Sequence, residues 1–224
     1  MGKIECMLQL PVFSALTSEE KLKLLSLTHQ RNLEADETLF YDQEPVEAVY
    51  LIKKGRIKLS KVFEDGKEIT IGFRGADEIL GEEALFADYN HNTTAVAVES
   101  TFVCICTKKD CEMTVQKYPE MAMRIIKNLG YKLQQTTERV SNIASRNVRG
   151  RVKFLLSQLA REYGEKTPEG LLINFKLTHR DIAELIGASW VMVSKVLREI
   201  DEVSTHRGEI LIKQTGDIFS SQAV

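Results

Sequence analysis

Between Leu177 and Ile200 the chain reads LTHRDIAELIGASWVMVSKVLREI, and nearly every position of that run answers to one arrangement of two short helices. Thr178 stands where an N-cap oxygen is needed, and Asp181, three residues on, completes a capping box. Ile182, Ala183 and Ile186 supply the inner face of the first helix, with Ala183 small because a second helix crosses closely. Gly187 omits a Cβ at the turn. Ser189 then caps the second helix, which Val193, Val196, Leu197 and Ile200 anchor. The pattern predicts a helix-turn-helix; the plainer alternative is an αα-hairpin that only packs.

Charge placement separates the two. Arg146, Arg149, Arg151 and Lys153 come with no acidic residue between 146 and 161. His179 and Arg180 add donors at a helix N-terminus, where backbone amides already favour phosphate. The whole chain, with 30 Lys+Arg against 32 Asp+Glu and a formal charge of −2, gives no sign of a basic nucleic-acid binder. Yet residues 146–213 hold 12 basic and 9 acidic side chains, whereas residues 1–145 hold 18 and 22. The average hides a segregated charge.

Upstream the texture differs. Residues 12–30 read as a short helix, with Thr17 and Glu20 as a second capping box and Leu22, Leu24, Leu25 and Leu27 on one side. From Thr38 to Thr107 short β-type runs (TLFY, AVYLI, RIKLSKVF, EITIGF, TAVAV and TFVCI) alternate with glycine-bearing turns. Asp65-Gly66 is the clearest hairpin signal, a pair whose members both tolerate positive φ. An antiparallel barrel or roll is expected. After Thr107 the period becomes helical, and Ile126, Leu129, Leu133, Thr136, Val140 and Ile143 recur in alternating steps of three and four. That spacing is a coiled-coil seam between two copies of the chain; packing of the stripe on the chain's own β domain is the alternative. A polar stretch at Ser145-Arg146-Asn147 leads into a further amphipathic helix and marks a boundary. The expected fold is α+β: a β-roll sensor over 1–116, a dimerisation helix and hinge over 117–146, and a winged helix-turn-helix over 147–224.

Cys6, Cys104, Cys106 and Cys111 form no disulfide framework of the small secreted kind. No apolar run reaches the roughly 18 residues that span a bilayer, and MGKIECMLQLPVF does not read as a signal peptide. A cytoplasmic protein is expected, with no membrane partner. Neither a P-loop nor a dinucleotide-binding glycine fingerprint, a G-x-S-x-G turn or a metal-binding His-Glu helix is present, so no enzyme activity and no metal site is expected.

This order of parts resembles the CRP/FNR family of bacterial transcription regulators over nearly the whole chain. The resemblance rests on VYLIKKGRIKLSKVFEDGKEITIGF and ILGEEALF in the roll, on 177–200, and on RGEILIK (207–213) as a wing. It implies a homodimer on a pseudo-palindromic operator in double-stranded DNA, one recognition helix per half-site. It also implies contact with RNA polymerase if the effect is activation rather than repression. The base-reading residues it implies are Trp190, Val191 and Lys195, with Ser194 as a further candidate; Thr178, His179, Arg180 and Ser189, at the helix N-termini, complete the expected DNA-binding set. Three of these, Trp190, Val191 and Lys195, stand where the family commonly has Arg, Glu and Arg, so the operator should differ from the commonest one. A ligand-sensing module that acts through protein partners, its base readout lost, is the competing function.

The same resemblance bears on the effector. Gly81-Glu82 match the pair that holds ribose in cyclic-AMP-responsive relatives, but the Arg-Ser pair that holds the cyclic phosphate falls on His91-Asn92. A neutral imidazole is a poor substitute for a guanidinium fork. Cys104 aligns with a cluster-ligating cysteine of iron–sulfur sensors, whose remaining ligands lie in an N-terminal cysteine cluster where this chain has Cys6 alone. A cyclic nucleotide, thiol redox chemistry at Cys104, Cys106 and Cys111, and haem ligation through His29 or His91 therefore remain open as effector chemistries, with no cofactor singled out.

Overall fold

The structure, a computed structural model, describes residue 19 and residues 28–85, 88–206 and 208–213. The chain divides into two compact units, Met1–Gly66 with Gly72–Gln134, and Lys67–Ile71 with Gln135–Val224.

The first unit is built on two four-stranded antiparallel sheets. One runs in the order β1 (Thr28–Leu33), β8 (Thr101–Thr107), β3 (Ala48–Lys54), β6 (Ile79–Leu80); the other runs β2 (Thr38–Phe40), β7 (Thr94–Ala97), β4 (Ile57–Val62), β5 (Glu68–Arg74). Alternation along these strands puts Leu33, Ile52, Ile57, Ala95, Ala97 and Val103, all fully buried, into one core. Each large aliphatic side chain among them contributes about 1.5–3 kcal/mol on burial. Between β6 and β7 a short 3-10 turn spans Glu82–Leu85.

Two expectations are corrected here. Thr28–Leu33 is a strand paired antiparallel with β8, Thr28 opposite Cys106 and Leu33 opposite Thr101, so the expected helix does not extend over residues 28–30. Its cap and leucine face, from Thr17 to Leu27, lie outside the described residues, as does Cys6. At the β4–β5 turn only Gly66 adopts positive φ (77°), and its amide donates to the Phe63 carbonyl at 2.8 Å. The turn is therefore longer than a two-residue hairpin, because β4 ends at Val62 and β5 begins at Glu68.

Two helices follow: α1 (Lys108–Lys117), capped by the Thr107 hydroxyl on the Asp110 amide, and α2 (Pro119–Ser145). The break falls where Pro119 cannot donate a helical hydrogen bond. In the second unit α3 (Val148–Tyr163) starts on an Asn147 cap, and β9 (Gly164–Thr167) and β10 (Gly170–Ile173) form a hairpin. The helices α4 (His179–Ile186) and α5 (Trp190–Arg198) come next, then β11 (Val203–His206) and β12 (Glu209–Lys213). The four strands make one antiparallel sheet, ordered β11-β12-β10-β9. Strand character in LLINFKL stops at Ile173, where Phe175 and Leu177 turn into the core of the helical layer.

Candidate nucleic-acid interface and effector cavity

The α4–turn–α5 geometry follows from its caps. Thr178 accepts from the Asp181 amide while the Asp181 carboxylate accepts from the Thr178 amide, a closed capping box. Each such cap is worth about 1 kcal/mol. Gly187 ends α4 in the left-handed region (φ 63°, ψ 49°), its amide donating to the Ala183 and Glu184 carbonyls. Ser189 then accepts from the Met192 amide and starts α5. Beneath the pair, Ile182, Val193 and Ile200 of this segment and Val152, Leu156 and Leu159 of α3 are buried, which fixes how far α5 stands out from the core.

The structure divides the eight expected DNA-binding residues into two groups. The hydroxyls of Thr178 and Ser189 are committed to capping. His179 Nδ1 and the Ser194 hydroxyl share a 2.8 Å hydrogen bond, and Arg180 Nε donates to Glu184 at 2.9 Å. Trp190 and Val191, by contrast, are exposed at 61% and 59%. The ammonium of Lys195 lies 3.9 Å from the Glu199 carboxylate on a largely exposed side chain. Arg151, visible in the sequence only as one charge in a basic run, closes the C-terminal end of α4, where its Nη1 donates to the Ile186 carbonyl at 2.8 Å.

Along α2 the expected seam residues share a face. Ile126, Leu133, Val140 and Ile143 are 53%, 69%, 62% and 44% exposed, so they stand uncovered in the single chain. Thr136 is exposed among them and Leu129 half-buried.

The β-roll holds a cavity of about 430 Å³, lined by Gly81, Glu82 and Asn92 among the expected effector residues and by Arg74, Tyr89, Thr93 and Lys132 among those the sequence did not mark. Gly81 has φ 75°, and a Cβ there would sit 2.4 Å from the Ala48 carbonyl, so the approach of the two backbones requires glycine. The buried Glu82 carboxylate is ion-paired with Lys132 of α2, whose ammonium also donates to the Ile79 carbonyl at 2.8 Å. His91 does not line the cavity. Its ring is 2% exposed and stacks on Phe40 with centroids 3.6 Å apart. Burial holds the imidazole below its usual range, and therefore neutral, with Nδ1 3.8 Å from the Glu83 carboxylate, beyond hydrogen-bonding reach. Burial in turn raises the Glu83 carboxyl. A cyclic phosphate thus meets no guanidinium at 91–92, and the carboxylate that would hold a ribose is engaged by Lys132.

Of the two histidines weighed for haem, His29 is exposed on β1 and His91 is sealed against Phe40. None of the three described cysteines is disulfide-bonded. Cys104 packs in a small core with Leu51, whereas Cys111 on α1 brings its sulfur 3.9 Å from the Cys106 carbonyl. The side-chain interaction of the two neighbouring thiols lowers the Cys106 thiol and, together with burial, raises that of Cys111. Among the described residues no three His, Cys, Asp or Glu side chains gather as a metal site, and no helix is long and apolar enough to cross a membrane.

A β-roll, a long helix with an exposed apolar stripe and a capped helix-turn-helix beside a small antiparallel wing define a helix-turn-helix transcription regulator. Residues 30–118 match the cyclic nucleotide-binding domain family. The chain is 30% identical over 184 residues to the global nitrogen regulator of a Nostoc species, covering 80% of this chain and 82% of that one. It is 28% identical over 196 residues to the cAMP-activated global transcriptional regulator CRP of Salmonella typhimurium, covering 85% and 92%. In fold it resembles FixK2 from Bradyrhizobium japonicum, with a TM-score of 0.75 at 18% identity over 88% of this chain and 98% of that one. A CRP/FNR-family regulator from Thermus thermophilus gives 0.70 at 19% over 86% and 97%. The chain belongs to the CRP/FNR family of transcription regulators. It is a DNA-binding regulator and not an enzyme.

Proposed function

We propose that the protein works in the cytoplasm as a homodimer joined along α2, presenting the two α5 helices to successive major grooves of a pseudo-palindromic operator. The observation that carries this reading is the apolar stripe of α2, whose Ile126, Leu133, Val140 and Ile143 are exposed in the single chain. A contiguous apolar face of this kind marks an association surface. A second copy would bury each such side chain for about 1.5–3 kcal/mol, and the exposed Thr136 leaves one polar step in the seam. In this reading residues 1–116 form the sensor, 117–146 the dimer helix and hinge, and 147–224 the DNA-binding part.

The roll cavity is then the effector site, with Gly81, Glu82, Asn92, Arg74 and Lys132 as its polar lining. Position 91 supplies a buried His and no guanidinium, so a phosphate-bearing effector would have to be held by the cavity-lining cations Arg74 and Lys132. An effector that binds one dimer arrangement better than the other shifts the pair of α5 helices between them; as an activator, the dimer would touch RNA polymerase.

Sedimentation equilibrium combined with gel-shift titration tests the assembly. The expected result is a dimer that Leu133→Glu converts to monomer, with operator binding lost in parallel. A wild-type monomer that binds one half-site overturns it.

A further inference from the structure

The exposed end of α5 carries an unusual set of side chains for a helix that enters a polar groove. Trp190, Val191 and Met192 follow directly on the Ser189 cap and are 61%, 59% and 47% exposed. Their neighbours Val193, Val196 and Leu197 already fill the core contact, so folding does not require this apolar tip. The polar groups around it are engaged: Ser194 with His179, Ser189 with the Met192 amide, Arg180 with Glu184.

The surface left to face bases is apolar carbon and one cation, Lys195. From Trp190 to Lys195 the run WVMVSK contains no Asp, Glu, Asn or Gln. It therefore has no carboxylate to accept from the cytosine amino group and no amide to pair with N6 and N7 of adenine together. Thymine is the one base that presents a methyl group in the major groove, and guanine presents two acceptors that a cation satisfies.

We propose that Trp190 and Val191 read thymine methyl groups in each half-site, with Lys195 on a neighbouring guanine, so that the operator is selected mainly by its methyl pattern. This rests on the DNA-binding reading above. Duplex DNA is the occupant because the tip continues the helix-turn-helix and is flanked by the exposed cations Arg180, Lys195 and Arg198.

The experiment selects bound duplexes from a random library with the full chain, then rebuilds the preferred site with deoxyuridine in place of each thymine, which deletes only the methyl. Losing one contacted methyl should weaken binding about fourfold, and about fifteenfold when both half-sites lose it. Trp190→Ala, at a position too exposed to unfold the helix, should bring the thymine-to-uracil ratio at its position close to one while salt-dependent binding persists. Equal binding of thymine and uracil sites by the wild type overturns the proposal and leaves DNA recognition standing. A library from which no site is enriched overturns the DNA-binding reading itself.

Discussion

Replacing Gly187 with alanine isolates what the helix-turn-helix asks of its turn. The residue sits at φ 63°, ψ 49°, and a Cβ built on it meets nothing closer than Arg151 Nη1 at 3.9 Å. That is an ordinary van der Waals contact, so the penalty is conformational alone, about 1–2 kcal/mol for an L-residue held in the left-handed region. Hydrogen exchange followed by mass spectrometry reads this locally. Where closing outruns exchange, a loss of that size speeds the protected amides of α4 about five- to thirtyfold. Peptides from β3 and β8, in the other unit, serve as the internal control and should not change. Gly187→Asn should lose less than half as much, because asparagine tolerates the left-handed region. Exchange in α4 within about twofold of wild type for the alanine variant, or an asparagine variant as damaged as alanine, would refute the reasoning.

Three further outcomes follow from the roll. In a double-mutant cycle of Lys132→Met and Glu82→Gln, urea denaturation should give a favourable coupling of about 1–3 kcal/mol, since either single change strands a largely buried charge; additivity within about 0.3 kcal/mol would show the pair to be idle. His91 is held neutral in the folded roll, while the unfolded chain titrates near 6.5. The unfolded state therefore binds more protons below that pH. The stability present above about pH 6.5 is lost as pH falls toward the depressed folded value, at up to about 1.4 kcal/mol per pH unit, and His91→Phe should flatten the slope. In timed alkylation at about pH 8, Cys106 should react ahead of Cys111, and Cys111→Ala, which removes the neighbouring thiol that lowers it, should slow Cys106 by raising its pKa; an unchanged rate would remove Cys111 as the cause.

The helix-turn-helix was legible because its determinants are local. Thr178, Asp181, Gly187 and Ser189 each act on groups within a turn or so of themselves, and the structure uses each as a cap or turn residue. The long strands were legible for the same reason, through alternation. What escaped the sequence depends on distant partners. Thr28–Leu33 buries only Leu33 and becomes a strand because β8 offers it a hydrogen-bonding edge. GEKT in β9 has no large apolar residue and is held by β10. Lys132 reaches a carboxylate 50 positions away, a pairing that no local pattern encodes. Ser194 is withdrawn by His179 from 15 residues upstream, through the crossing of α4 and α5.

The grip of Arg151 on the end of α4 makes the start of α3 a point of transmission. Its guanidinium holds the Ile186 and Gly187 carbonyls at 2.8 and 3.4 Å, and Arg149, on the same turn, donates to the Glu199 carbonyl at 3.3 Å. The first turn of α3, which begins within three residues of the end of α2, is thus tied to both helices of the helix-turn-helix. A helix of 16 residues is about 24 Å long. Both grips sit within about 6 Å of Asn147, so a rotation of α3 there is passed to α4 and α5 by hydrogen bonds at the hinge itself and not by the length of the helix.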